Sequence, residues 1–219
     1  IKSAGVVPIV MKGKIGKTKR GELSIFPSEI QLLSACVHML PKDHFGLKDQ
    51  EVRYRQRYLD LLVNPRVHSI FVRRSQIISC LRRFFESMGY IEVETPMMQV
   101  LAGGATARPF ETFHEALGMP LFLRIAPELY LKRLVVGGLD RVFEINRSFR
   151  NEGVSTRHNP EFTILEFYQA YSDYHDLMDL TEEMLRCVIQ EVCNGLEVQY
   201  AGMTLDFSHF QRFSMVESI

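Results

Sequence analysis

Between Pro65 and Met88 the apolar residues Ile70, Phe71, Ile77, Ile78, Leu81, Phe84, Phe85 and Met88 recur at helical spacing, with Arg73, Arg74, Arg82 and Arg83 between them. The pattern predicts a long amphipathic helix stopped by Gly89. Ahead of it, EVRYRQRYLDLLVN (51–64) also reads as helix, with Arg and Tyr interleaved. YIEVETPMM (90–98) alternates like a strand up to Pro96, whose missing amide donor suits a strand edge or an interface. LAGGATARPF (101–110) is a glycine-bearing loop. IAPELYLKRLVVGG (125–138) carries Pro127 and Glu128 where a helix starts and Gly137-Gly138 where it stops. LDRVFEINRSFRNE (139–152) and PEFTILEFYQAY (160–171) read as two strands around a polar loop, and SDYHDLMDLTEEMLRCVIQEVCNG (172–195) as a further helix. Residues 1 to 45 read as short strands and turns, VVPIV, GKIGKTKRGELSIF and EIQLLS, too few to bury both faces of a sheet. PKDHFGLKDQ (41–50) reads as a linker, which sets a domain boundary there. Long helices with antiparallel strands argue for an α+β fold.

Composition narrows the classes. Lys plus Arg and Asp plus Glu are equal at 26 each, so no net field draws in nucleic acid or an anionic membrane, and any polyanion must be held by a local patch. The interleaved arginines of 51–64 are therefore read as a solvated helix face. No run of about 18 apolar residues occurs, and no secretory signal opens the chain, so a soluble protein is expected. Cys36, Cys80, Cys187 and Cys193 form no CxxC pair, which fits a reduced compartment with the thiols as small apolar fillers. A start without Met and the ending FSMVESI suggest a piece of a longer protein.

The strand pair carries the chemistry. Alternation puts Ser148, Arg150 and Glu152 on one face of the first strand and Phe162, Ile164, Glu166 and Tyr168 on one face of the second. Arg157 and His158 lie in the loop between them. If the two faces coincide, one sheet surface bears a guanidinium, carboxylates, a phenol and an aromatic ring. The residues alone leave two readings open. Arg150 pairs with Glu152 or Glu166 across the sheet, or it grips a phosphate or carboxylate beside a ring that stacks a base, as in a nucleotide pocket.

FRNEG (149–153) followed by RHNPEFTILEFYQAY (157–171) resembles motif 2 of class II aminoacyl-tRNA synthetases, in the form found in lysyl-tRNA synthetases. GELSI, HFGLKDQEVRYRQRYLDL, ESMGYIEVETPMM as motif 1, GGATARPF and IAPELYLKRLVVGGLDRVFEI agree collinearly over nearly the whole chain. The resemblance implies a class II antiparallel sheet flanked by helices over residues 46–219, preceded over 1–45 by a remnant of an OB-fold anticodon-binding barrel. It implies ATP-dependent activation of lysine and its transfer to tRNA(Lys), by a cytoplasmic homodimer, an organellar form being left open. By position, Arg150 would bridge the amino-acid carboxylate and the α-phosphate, Glu152 would accept from the adenine amino group, and Phe162 would stack on adenine. Arg157, His158 and Asn159 belong to the ATP side, near the phosphates and the tRNA end. Gly103, Gly104 and Glu128 would hold the backbone and α-ammonium of lysine, Glu166 and Tyr168 its ε-ammonium, and Pro96 the dimer interface. Without the resemblance, Glu128 reads first as an ordinary acidic residue complementing a helix N-terminus, and Gly103 and Gly104 as a plain loop.

The resemblance also implies parts this chain lacks: motif 3 with its ATP-clamping arginine, the acidic ligands of Mg²⁺, a further glutamate of the lysine pocket, and most of the barrel. The chain is thus expected to be an incomplete, inactive fragment. Two other readings stay open: a paralogue that attaches a lysine-type amino acid to a translation factor, and a non-catalytic dimerisation or scaffold module.

Overall fold

A computed structural model describes residues 8 to 35 and 47 to 218. The first six residues of the expected linker, and Cys36, lie outside them. The chain folds as two units, Ile1–Val72 and Arg73–Ile219.

In the first unit, β1 (Ile9–Lys17) and β2 (Leu23–Leu32) form an antiparallel hairpin. The segments expected as three short strands join into two longer ones, because the pairing absorbs Pro27 at a bulge. Lys12 faces Glu29 and Gly13 faces Pro27, so Ser28 is the extra residue, and its hydroxyl donates to the Lys12 carbonyl at 2.9 Å. A Cβ on Gly13 would lie 2.3 Å from the Phe26 carbonyl oxygen, so only glycine fits this close pairing. Ile15, Leu23, Ile30 and Leu32 stay exposed, since two strands cannot cover their own apolar side chains.

The stretch expected as one helix is two, α1 (Gln50–Arg55) and α2 (Arg57–Val63), broken at Gln56, whose φ of −119° and ψ of 58° leave the helical region. Arg55, Tyr54 and Tyr58 lie on a solvated face as expected, but Arg53 and Arg57 turn inward. Asp60 is fully buried and accepts from Arg53 Nε at 2.9 Å, from Arg57 and from Asn64. Burial pushes the Asp60 carboxyl up, but the hydrogen bonds from Asn64 and Arg53, the Arg53 charge and Arg57 together hold it below the usual carboxylate range. A buried carboxylate has thus drawn Arg53 and Arg57 inward.

Helix α3 (Pro65–Ser87) begins with Pro65 and is followed by Gly89 at φ +79°, as its pattern predicts. In the second unit, β3 (Ile91–Glu92), β7 (Arg141–Phe149) and β8 (Glu161–Gln169) form one sheet in the order β3-β7-β8. β4 (Met98–Gln99), β5 (Phe110–His114) and β6 (Met119–Leu123) form another in the order β4-β6-β5. Helices α4 (Glu128–Val136) and α5 (Tyr174–Cys193) and a hairpin, β9 (Glu197–Tyr200) with β10 (Met203–Asp206), complete the unit. The β7–β8 pairing is antiparallel as expected, but β3 joins β7 in parallel, making the sheet mixed.

The strand expected across YIEVETPMM is split between the two sheets. Val93 N still donates to the Phe143 carbonyl at 2.9 Å, but Thr95 N donates to the Glu144 carboxylate and Pro96 has no donor, so the ladder ends there. Alternation gives β7 and β8 two different faces. Phe143, Ile145, Leu165 and Phe167 point into a core with Phe84, Phe85, Tyr90, Leu177 and Leu180. The Phe85 and Phe143 rings stack at 5.0 Å, and Tyr90 meets Phe85 edge-on at 5.1 Å. Packing of α3 and α5 against one face leaves the opposite, polar face for other work. Of the cysteines, Cys80 fits the expected filler role, whereas Cys193 is exposed.

Candidate functional site

The register of β7 and β8 decides what shares the polar face. Ser148 lies opposite Phe162, Asn146 opposite Ile164, Glu144 opposite Glu166, and Val142 opposite Tyr168. Over the paired residues the two expected faces coincide, but β7 stops at Phe149, so Arg150 and Glu152, expected on the strand, lie beyond its end. Arg150 follows β7 directly, its amide donating to the Pro160 carbonyl at 2.8 Å, and its guanidinium lies 5.1 Å over the Phe162 ring. Neither Glu152 nor Glu166 pairs with Arg150, and Arg150 Nε is buried without a hydrogen-bond partner. Leaving a buried donor unmet costs about 1 to 3 kcal/mol, so this guanidinium is held with binding capacity unspent.

Arg150, Glu152, Gly153, Arg157, His158, Asn159 and Phe162 line one cavity of about 270 Å³. The loop between β7 and β8, which supplies all of them but Phe162, is shaped by a tight turn: Ser155 and His158 exchange backbone hydrogen bonds at 3.0 and 3.2 Å, and the Ser155 hydroxyl meets His158 Nδ1 at 2.8 Å. Asn151 N donates to the Arg108 carbonyl at 2.8 Å and Arg108 N to Glu152 at 3.4 Å, which ties the cavity rim to the loop before β5. An arginine with a free donor, further cationic and amide side chains and a ring can hold a phosphate chain and a flat heterocycle.

A second cluster lies farther along β8. Phe162 and Glu166 are about 13 Å apart at the usual strand rise. Tyr168 donates to Glu166 at 3.1 Å. Burial is the main cause that pushes the Glu166 carboxyl above its ordinary range; the charges of Glu128 and Glu144 add to it, while the Tyr168 hydrogen bond and Arg124 oppose it. Burial, then the Glu166 charge, likewise raise the Tyr168 phenol. Glu128 opens α4 and accepts from Lys132 Nζ at 2.6 Å, and that ammonium also sits 6.0 Å over the Tyr168 ring. This corner of the fold already holds one ammonium between a carboxylate and an aromatic face.

Gly103 and Gly104 press against the start of α4. Gly104 has φ +86°, and a Cβ there would lie 2.8 Å from Glu128 Cβ; one on Gly103 would lie 2.7 Å from a Leu129 methyl. Gly104→Ala is expected to cost about 1 to 3 kcal/mol in urea unfolding through strain and clash. Gly118→Ala, at φ +60° with open space around it, is the control for backbone strain alone. Equal losses in the two variants would mean that the loop does not press on Glu128.

Pro96 is exposed between β3 and β4, with its carbonyl accepting from Gln99 Nε2 at 3.0 Å. The structure also brings in residues that sequence reasoning passed over. Arg124, 0 % exposed, pairs with Glu144, 1 % exposed, at 2.7 Å, and Thr95 binds both. Glu144 breaks the apolar run VFEI, and Arg124 precedes IAPE. A charge inside an otherwise buried pattern was the available signal.

A profile of the family described as tRNA synthetases class II (D, K and N) matches residues 49–219. A curated relative from Vesicomyosocius okutanii, named Lysine--tRNA ligase, is 58% identical over 208 residues, covering 94% of this chain and 42% of its own length. Relatives of the same name from Aeromonas hydrophila and Escherichia coli K12 are 56% and 57% identical over 95% of this chain, which spans 42% and 41% of their lengths.

Proposed function

The chain belongs to the class II tRNA synthetases (D, K and N), and from that premise we propose that the protein carrying it is a lysine-tRNA ligase. It joins lysine to ATP as lysyl-adenylate and passes lysine to the 3′ end of tRNA(Lys). The observation that carries the reading is the single polar face on which Arg150, with a buried unmatched donor, and Phe162 stand in line with Glu166 and Tyr168.

In the first step a lysine carboxylate oxygen attacks the α-phosphorus of ATP in line, and pyrophosphate leaves. Arg150 spans the carboxylate and the α-phosphate, holding them together and offsetting the charge that builds on the phosphoryl oxygens. Adenine stacks on Phe162, with Arg150 moving off the ring toward the phosphates, and its amino group donates to Glu152. Arg157, His158 and Asn159 attend the phosphates and then the tRNA end. Glu128 takes the α-ammonium, beside backbone that only Gly103 and Gly104 let approach. Glu166 and Tyr168 take the ε-ammonium. In the second step a ribose hydroxyl of the tRNA attacks the lysyl carbonyl and AMP leaves, with no covalent bond to the protein.

Mg²⁺ accompanies ATP in this reading. Among the described residues no group of three or more His, Cys, Asp or Glu converges to hold a metal, and no step here is routed through one. The protein acts as a cytoplasmic homodimer with Pro96 at the interface. Among the described residues no helix is long and apolar enough to cross a membrane.

The full-length protein should exchange pyrophosphate into ATP only when lysine is present and should charge tRNA(Lys). Lysine-independent exchange, or transfer of lysine to a protein acceptor in place of tRNA, would overturn the assignment.

A further inference from the structure

Ser155 does not line the cavity, yet its hydroxyl holds two residues that do. Its backbone N donates to the His158 carbonyl at 3.0 Å, and its own carbonyl accepts from His158 N at 3.2 Å. Residues that exchange both backbone hydrogen bonds stand directly opposite each other, with their side chains on one face of the pair. The turn over residues 155–158 thus sets the hydroxyl beside the imidazole, with Oγ 2.8 Å from Nδ1. The same oxygen accepts from Arg157 N at 3.2 Å.

With Nδ1 held by the hydroxyl, Nε2 is the ring nitrogen left for a ligand in the cavity. Ionised phosphate oxygens only accept hydrogen bonds, so a nitrogen that faces one must carry a proton. In the neutral ring that proton sits on Nε2 while Nδ1 accepts from Ser155. In the cation both nitrogens carry protons, and the hydroxyl turns to accept from Nδ1. A hydroxyl serves both states because it has one proton to give and lone pairs to accept with. Ser155 and His158 are both exposed, and an exposed side chain otherwise moves among rotamers within nanoseconds. Holding the ring in one orientation beforehand lowers the cost of ordering it when a ligand binds.

We infer that Ser155 is a positioning residue, whose hydroxyl holds the His158 ring with Nε2 turned to the phosphates of ATP without itself touching substrate. This rests on the reading of His158 as a group on the ATP side. The hydrogen bonds that carry it all lie within residues 155–158.

In the full-length protein, Ser155→Ala is expected to raise the KM for ATP in lysine-dependent pyrophosphate exchange by about three- to tenfold, the factor that one neutral hydrogen bond supplies. The KM for lysine should stay within about twofold, since Glu166 and Tyr168 lie farther along β8. Ser155→Thr, which restores a hydroxyl, should bring the KM for ATP back to within about twofold of the parent. A rise as large as that of alanine would show that the hydroxyl is not the acting group and overturn the inference.

The double variant decides the route. On a His158→Ala background, Ser155→Ala should add less than about twofold, because no ring is left to hold. If it still adds its full factor, Ser155 acts through Arg157 or the turn itself, and the inference fails. His158→Ala alone separates the two ideas. If it leaves the KM for ATP unchanged, the assignment of His158 to the ATP side fails. If it raises that KM while Ser155→Ala does not, only the positioning role fails.

Discussion

Arg150→Ala should lower lysine-dependent ATP–pyrophosphate exchange by about 10³-fold or more, the usual loss when a positioned cation is removed from a phosphoryl transition state. The guanidinium is presented at the end of β7 by the Arg150–Pro160 backbone hydrogen bond and rests on Phe162, and no carboxylate near it neutralises its charge. Its charge is therefore available to an anionic ligand in the cavity. Because the role asked of it is to span two oxygens of different groups, a planar fork is required, and Arg150→Lys should recover no more than about a tenth of the activity. Since the side chain supports no ion pair, the variant should fold with a melting temperature near that of the parent. Exchange within about tenfold of the parent in Arg150→Ala would remove this residue from the chemistry.

Glu166→Gln should lower kcat/KM for lysine by about 10²- to 10³-fold, the cost of truncating one partner of a desolvated, hydrogen-bonded charge pair. Norleucine, the same side-chain length without the amine, should lose nothing comparable, so discrimination between the two collapses by a similar factor. The same substitution should raise the melting temperature of the ligand-free protein at neutral pH. Burial and the neighbouring Glu128 and Glu144 raise the folded-state value of Glu166 despite Tyr168 and Arg124. A carboxyl with a raised value favours the folded state below its unfolded range near pH 4.3 and loses that contribution as pH rises through the folded value. The protein therefore bears a cost at neutral pH that Gln would not. More stable and less discriminating is the signature of a residue held for binding; a variant that is less stable and equally discriminating would assign Glu166 to the fold alone.

Much of this was legible in the order of residues because local physics enforces it. The helix from Pro65 ends before Gly89, and α4 begins at Glu128 and ends before Gly137, since periodicity, proline and glycine act within a few residues. The β7–β8 hairpin has one-residue alternation, and a slip of one strand by one position would turn its polar residues toward the Phe84–Phe85 core and its Phe143 or Phe167 away from it, so its register is strongly specified. That is why the arginine, ring, carboxylate and phenol of the candidate site could be placed on one face from alternation and the resemblance together.

Where the structure departs from the pattern, a polar partner that periodicity does not reveal has intervened, near in sequence in one case and distant in the other. The break at Gln56 and the inward turn of Arg53 and Arg57 follow from the burial of Asp60, a residue whose own neighbours give no sign of it. The split of YIEVETPMM between two sheets follows from Glu144, 49 residues from Thr95, taking the amide that a strand neighbour would have used. The hydrophobic and turn-forming pattern of this chain by itself determined where most helices begin and end, which side of the central hairpin is apolar, and which side chains share its other side. Tertiary structure alone decided that Arg124 and Glu144 neutralise each other beneath that surface, and that Arg150 and Glu166 do not. Charge pairing depends on which segments the fold brings within a few ångströms, and no local rule of spacing carries that information.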